Sequence, residues 1–213
     1  MNAPHLLVLA KSPVAGRVKT RLCPPLSPQE AAALAEAALA DTLDAVAACA
    51  AGRRILALDG DPGPWLPPGF EVVPQVEGTF DRRLAAAWDW AGGPGVQIGM
   101  DTPQVTAALL DDALETLDIT SAALGLAEDG GWWAIGLRQA DARVFLGIPM
   151  STSRTGAAQL ARLHRLGLDV TSLPTLVDLD TIADLPAVVG RGTAIRTASL
   201  ARTLGVLPSV ASV

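Results

Sequence analysis

Apolar positions along this chain follow two rhythms. Short runs at Leu6–Ala10, Arg54–Asp59, Phe70–Pro74, Val96–Met100, Ile119–Leu126 and Trp132–Leu137 are nearly unbroken by polar residues. Runs of that length and character predict strands buried on both faces. Between them lie longer stretches with helical spacing. Over residues 28–50, Ala35, Leu39, Leu43 and Val46 recur on one face, and over 80–90 Phe80, Leu84, Ala87 and Trp88 do the same. Further helices are predicted near 104–117 and 153–166, the latter stopped by Gly167. Ser27-Pro28-Gln29-Glu30 reads as a helix start, with Ser as N-cap, Pro at the first helical position and Glu completing a capping box. Thr181 with Asp184 predicts a similar box before a final helix, and an amphipathic segment runs on to about Leu204. Alternating strands and helices predict an α/β fold of βαβ units with a largely parallel sheet. No internal repeat or long linker divides the chain. The reading is one domain over 1–205 and a small-residue tail, 206–213, expected to be disordered.

Composition narrows the function classes. The chain has 213 residues, a formal net charge of −6 and 50% hydrophobic residues. No apolar run approaches bilayer length, because Glu36, Asp41 and Asp44 interrupt even the Ala-rich stretch, so membrane insertion is not expected. The first apolar run is too short for a signal peptide and has no basic flank, which predicts a cytoplasmic location. An acidic chain without a basic stripe is a poor partner for nucleic acid. Cys23 and Cys49 have no metal or redox spacing. What remains is a domain that handles something small.

Charge is distributed unevenly. The only two lysines, Lys11 and Lys19, fall in one loop with Arg17 and Arg21, at the carboxyl end of the first strand. Open α/β sheets place ligands at that end, and Pro13 and Gly16 give a turn whose amides could approach a phosphate. The loop reads either as an anion site or as a solvated basic turn. It is not a Walker A loop, since Gly16 and Lys19-Thr20 are separated. Asp101 follows the Val96–Met100 run and suits a hard cation such as Mg²⁺, which takes carboxylate oxygens and substrate phosphates. Equally, Asp101 or Thr102 suits the N-cap of the next helix. Glu128-Asp129-Gly130-Gly131 reads as a tight turn, or as glycines letting backbone approach a sugar or base while a carboxylate bonds hydroxyls. Ser151 or Thr152 is read as a cap, and neither His5 nor His164 has a companion that makes it a base or ligand. Asp178 and Asp180, two apart on an extended segment, point to the same side and so could both face a metal held by Asp101.

The run AKSPVAGRVKTRL, followed by Leu26-Ser27-Pro28 and an Ala/Leu helix, resembles the opening of a family of GT-A-fold transferases catalogued as a domain of unknown function. That family is similar in turn to 2-phospholactate guanylyltransferases and molybdenum-cofactor nucleotidyltransferases. Gly99-x-Asp101-x-Pro103 resembles the family's equivalent of the Asp-x-Asp motif, with Gly99 in place of the first Asp. Glu128-Asp129-Gly130-Gly131-Trp132-Trp133 resembles Glu-Asp-Gly-Gly-Tyr-Tyr, and Met150-Ser151-Thr152 partly matches Trp-Ser-Thr. Asp178-Leu-Asp180-Thr181 resembles the Asp-x-Asp-Thr ending of the superfamily.

The resemblance implies a single-domain, three-layer α/β/α, Rossmann-like fold with a mixed, mostly parallel sheet of the nucleotide-diphospho-sugar transferase, GT-A type. It implies an Mg²⁺ (or Mn²⁺)-dependent transferase that moves a nucleotidyl or glycosyl group from a nucleotide or nucleotide-sugar to a small-molecule acceptor. Lys19, Arg21 and Asp101 are then expected to be catalytic. Ala10, Lys11, Ser12, Gly16, Arg17, Thr102, Glu128, Asp129, Gly130 and Gly131 are expected to bind substrate, and Asp101 with Asp180 to hold the metal. A nucleotide-binding module that has kept this fold and lost the chemistry is the alternative.

Overall fold

The computed structural model describes residues 3–208. Seven strands form one sheet: β1 (His5–Lys11), β2 (Arg53–Asp59), β3 (Glu71–Pro74), β4 (Gly95–Ile98), β5 (Ala122–Ala127), β6 (Trp132–Leu137) and β7 (Val170–Leu176). Their order is β3-β2-β1-β4-β6-β5-β7. The pairs β3–β2, β2–β1, β1–β4 and β5–β7 are parallel, and β6 is antiparallel to both neighbours. Six α-helices accompany the sheet among the described residues: α1 (Pro28–Ala48), α2 (Phe80–Ala91), α3 (Ala107–Ile119), α4 (Thr155–Arg165), α5 (Leu185–Val189) and α6 (Ile195–Thr203).

Strand alternation sends successive side chains to opposite faces, and both faces are covered. Leu6, Val8 and Ala10 of β1 join Leu39, Leu43 and Val46 of α1 and Leu110, Ala113 and Leu117 of α3 in one core. Leu7 and Leu9 point the other way, into a core with Leu84 and Trp88 of α2 and Leu163 of α4. The result is the expected three-layer α/β/α, mostly parallel architecture in one domain. α6 packs outside α1, where Leu34 and Ala38 meet Ala201 and Leu207. Val206 and Leu207, at the start of the expected tail, belong to that packing, while residues 209–213 lie outside the described residues. Among the described residues no helix is long and apolar enough to cross a membrane.

Three local outcomes differ from the sequence pattern and bear on the site. The run 119–126 is split, because α3 continues to Ile119 and the strand begins at Ala122. The helix predicted at 104–117 starts later, and its N-cap is Thr106, whose side chain accepts from the Leu109 amide. Asp101 and Thr102 therefore cap nothing. Residues 170–176, assigned to no element by pattern, form the edge strand β7. Pro174 and a three-residue leucine spacing hide it, and an edge strand tolerates both. This strand carries the chain back to the carboxyl end of the sheet, where the Leu179 amide donates to the Asp101 carbonyl at 2.7 Å.

Candidate active site

At the carboxyl ends of β1 and β4 lies a cleft of about 620 Å³. Its floor is Leu9, Ala10, Gln97 and Gly99, and its cations are Lys11, Arg21 and Arg83. Asp101, Asp129, Asp178 and Asp180 supply the negative charge. Because β6 is antiparallel, its amino end with Trp132 opens at the same edge, beside Met150, Ser151 and Thr152. A smaller cavity of about 230 Å³ adjoins it, bordered by Lys11, Arg17, Lys19, Arg21, Asp101 and Asp180.

Lys19 is the structural surprise. In a loop whose sequence reads either as an anion site or as a solvated turn, its side chain is only 7% exposed. Its ammonium lies 2.5 Å from Asp101 Oδ1 and 3.3 Å from Asp180 Oδ1, and it also donates to the Leu179 carbonyl. Burial works against its charge, but the two carboxylates outweigh burial and hold its pKa above the ordinary lysine value. Arg21, 74% exposed, takes the other oxygen of Asp180 at 3.1 Å. Both Asp180 oxygens are thus engaged, whereas the Asp178 carboxylate makes no hydrogen bond or ion pair among the described residues, and only its backbone carbonyl accepts, from the Asp180 amide at 3.1 Å. Burial, then the charges of Asp101 and Asp129, push the Asp178 carboxyl up to about 7, with Lys19 pulling the other way.

Ala10, Lys11, Thr102, Asp129 and Gly131 all line the main cleft. Asp129 Oδ1 accepts from the Gly131 amide at 2.7 Å, closing the turn. Ser12 and Arg17 border a separate cavity of about 170 Å³ with Asp59; Ser12 donates to the Asp61 carbonyl at 2.5 Å and Arg17 lies 4.0 Å from the Asp59 carboxylate. Gly16 has φ +76°, which suits the turn, and a Cβ added there would meet no atom of the described residues within 4 Å. Glu128 is exposed, away from the cleft, and its amide donates to the Leu176 carbonyl. Gly130 also makes a close approach within the chain. A Cβ there would sit 2.1 Å from the Ser153 carbonyl oxygen, so the close approach is to the chain's own loop before α4. Gly130 O also accepts from the Gly156 amide at 2.8 Å. That contact aligns the 129–131 turn with the 150–155 loop, forming one wall.

Several cleft residues escape the sequence reading. Gln75, just beyond β3, donates to the Ala10 and Ala57 carbonyls at 2.7 and 2.9 Å, tying the ends of β1 and β2. Arg83 Nη1 donates to Gln75 Oε1 at 2.8 Å, and its guanidinium carbon lies 5.1 Å from the centroid of the Phe80 ring. A polar residue at the carboxyl end of a strand was the available signal for Gln75, the same one that marks Asp101. Arg83 gives no such signal, because an arginine in a helix's first turns is ordinarily solvated. Among the described residues, Arg83 Nε, Thr102 Oγ1 and Trp132 Nε1 are buried without a hydrogen-bond partner. Unpaired buried donors call for a partner, and all three residues line the cleft. Lys19 and Ser151 are the non-glycine residues with positive φ among those described, at 48° and 57°. Both border this cleft or its extension, where backbone strain is characteristically kept.

A family described as uncharacterized proteins conserved in bacteria (DUF2064) matches residues 33–152, more than half of the chain. The chain belongs to that family. No curated protein matches its sequence. A provisionally assigned nucleotide-diphospho-sugar transferase from Desulfovibrio desulfuricans G20 is similar over 95% of this chain and 98% of its own, with 25% identity and a TM-score of 0.80. Rv0371c from Mycobacterium tuberculosis is similar over 89% of this chain and 100% of its own, at 21% identity and TM-score 0.52. CMP:2-keto-3-deoxy-manno-octonic acid synthetase, solved with CTP, covers 92% of this chain and 100% of its own, at 10% identity and TM-score 0.54. The last two share the fold. The architecture of this DUF2064 member is therefore that of the nucleotide-diphospho-sugar transferases, as the opening motif implies.

Proposed function

We propose that this chain is a divalent-metal-dependent transferase. Its donor is a nucleoside triphosphate or nucleotide-sugar, and it passes a nucleotidyl or glycosyl group to a small acceptor. One observation carries the reading. The cleft sets Lys11 and Arg21 of the first loop, with Arg83, against the carboxylates of Asp101, Asp178 and Asp180. The cations suit a polyphosphate, and the clustered carboxylates suit the ion that accompanies it. The CTP complex of the synthetase and the assignment of the Desulfovibrio relative support a nucleotide ligand for this fold.

The donor set fits Mg²⁺ or Mn²⁺. It is all carboxylate oxygen, and the Asp178 carboxyl, raised first by burial and then by the charges of Asp101 and Asp129, stands beside it. Among the described residues no three His, Cys, Asp or Glu side chains make a ready cage. Mg²⁺ uses one or two carboxylates and completes its shell with water and phosphate, so Asp101 and Asp180 would hold it, with Asp178 alongside. When bound, the ion neutralises charge that develops on the transferred or leaving phosphate. Lys11, Arg21 and Arg83 hold the phosphates in line. Trp132, flanked by Met150, offers an apolar face to a sugar or acceptor and excludes water from it.

A thermal-shift panel of nucleoside triphosphates and nucleotide-sugars, each with and without Mg²⁺, tests the reading. The expected result is at least one donor that stabilises only with Mg²⁺, by about 2.7 kcal/mol at a hundred times its dissociation constant. Asp101→Asn should remove that dependence. Stabilisation without metal and without turnover would instead identify a binding module, and no stabilisation by any donor would overturn the proposal.

A further inference from the structure

Lys19 occupies the place that the transferase reading gives to the metal. We infer that its ammonium is a resident cation in the free protein, and that a divalent ion gains Asp101 and Asp180 together only when a polyphosphate is present to receive Lys19. The inference rests on the reading of Asp101 and Asp180 as metal carboxylates.

The ammonium has three donors, and each has an acceptor here: Asp101 Oδ1 at 2.5 Å, Asp180 Oδ1 at 3.3 Å and the Leu179 carbonyl. The carboxylates are 43% and 35% exposed, against 7% for Lys19, so water reaches the anions more readily than the cation they enclose. An ion arriving alone would compete with this ammonium for both carboxylates and leave it buried beside a second positive charge, which is unfavourable. The adjoining cavity supplies an escape. Lys11, Arg17, Lys19 and Arg21 outnumber Asp101 and Asp180 around it, which makes it a place for a polyanion. With phosphate oxygens there, Lys19 exchanges one anionic partner for another without leaving its cavity, and the carboxylates are freed for the ion. Lys19 holds a left-handed backbone conformation, φ 48°, ψ 37°. Its ion pairs offset that strain, so the side chain is held by its partners more than by its backbone. Metal and polyphosphate should then bind with positive coupling, each raising the affinity of the other by the same factor.

The test is direct binding of Mn²⁺ to the full chain without nucleotide, read from the free-ion electron paramagnetic resonance signal. Lys19→Met and Lys19→Gln should bind Mn²⁺ about tenfold or more tighter than the unaltered protein, a change of about 1.4 kcal/mol. Adding Asp101→Asn to either should erase the gain. Lys19→Gln retains a hydrogen-bond donor and serves if Lys19→Met does not fold. Affinity in a folded variant that is unchanged or weaker would overturn the inference and leave the metal reading intact, with Lys19 acting as a fixed clamp on Asp101. No Mn²⁺ binding by any variant, together with donor binding that ignores Mg²⁺, would overturn the metal reading and the inference with it.

Discussion

Asp178 shows how one side chain records the purpose of its surroundings. Its carboxyl is raised to about 7 by burial and by Asp101 and Asp129, so its folded pKa exceeds the unfolded value near 3.9. The stability associated with its proton is complete at low pH and is lost as pH rises through about 7. Asp178→Asn should therefore stabilise the metal-free protein at pH 8 by on the order of 2 kcal/mol, after allowance for partial exposure, and hardly at all near pH 4. Urea unfolding at both pH values checks this, and a loss of stability at pH 8 would contradict it. The same variant should weaken metal-dependent donor binding, a trade of stability for function. Ionic side chains near Asp178 were readable one by one in the sequence; the pairing of Lys19 with Asp101 and Asp180 was not, because it joins residues about 80 and 160 positions apart.

Turns and caps decide where the functional groups stand. Thr106, through its bond to the Leu109 amide, starts α3, so Thr106→Ala should cost about 1 kcal/mol of stability. Asp101→Asn should leave α3 unaffected, and amide hydrogen exchange along the helix distinguishes the two. At the β5–β6 turn, Gly130 combines φ +89° with a position where an added Cβ would lie 2.1 Å from the Ser153 carbonyl oxygen. Even Gly130→Ala should destabilise by roughly 3 kcal/mol or more, from backbone strain together with displacement of the 150–155 loop. A variant with near-native stability in chemical denaturation would show that this wall of the cleft is soft. The hairpin itself was legible from its two glycines. What they are close to was not, since Ser153 comes from a different element.

Across the whole molecule, ionisable groups at the two ends of the sheet sit in different surroundings. The carboxylates Asp101 and Asp180 at the cleft end are partly exposed, while His5 at the amino end of β1 is fully buried. Its ring packs edge-on against Trp88 at 5.2 Å between centroids. Burial, with the nearby Arg53 charge, lowers its pKa from 6.5 to about 4. The folded state thus keeps His5 neutral where the unfolded chain would protonate it, and its share of stability is present above pH 6.5 and lost as pH falls toward 4. Acidification from pH 7 to 4.5 should cost up to about 3 kcal/mol through this group. His5→Phe, if it folds, should flatten that part of the stability–pH curve; an unchanged slope would assign the acid sensitivity elsewhere.

Local pattern already carried the α/β class, the start of α1 at Ser27, the tight turn at Gly130 and the concentration of cations between Lys11 and Arg21. Each depends on neighbours a few residues apart, through side-chain period, capping or turn chemistry, and such signals lie in the chain itself. The edge strand β7 did not announce itself, because Pro174 and irregular leucines are acceptable only where one side of a strand goes unpaired. Its position was nevertheless decisive, since β7 returns Asp178 and Asp180 to the mouth of β4. Likewise, nothing in the basic loop distinguished the lysine that faces solvent from the one enclosed by carboxylates. Burial, and hence charge pairing and pKa, belongs to the assembled sheet, where residues distant in sequence must share one small volume and balance one another's charge.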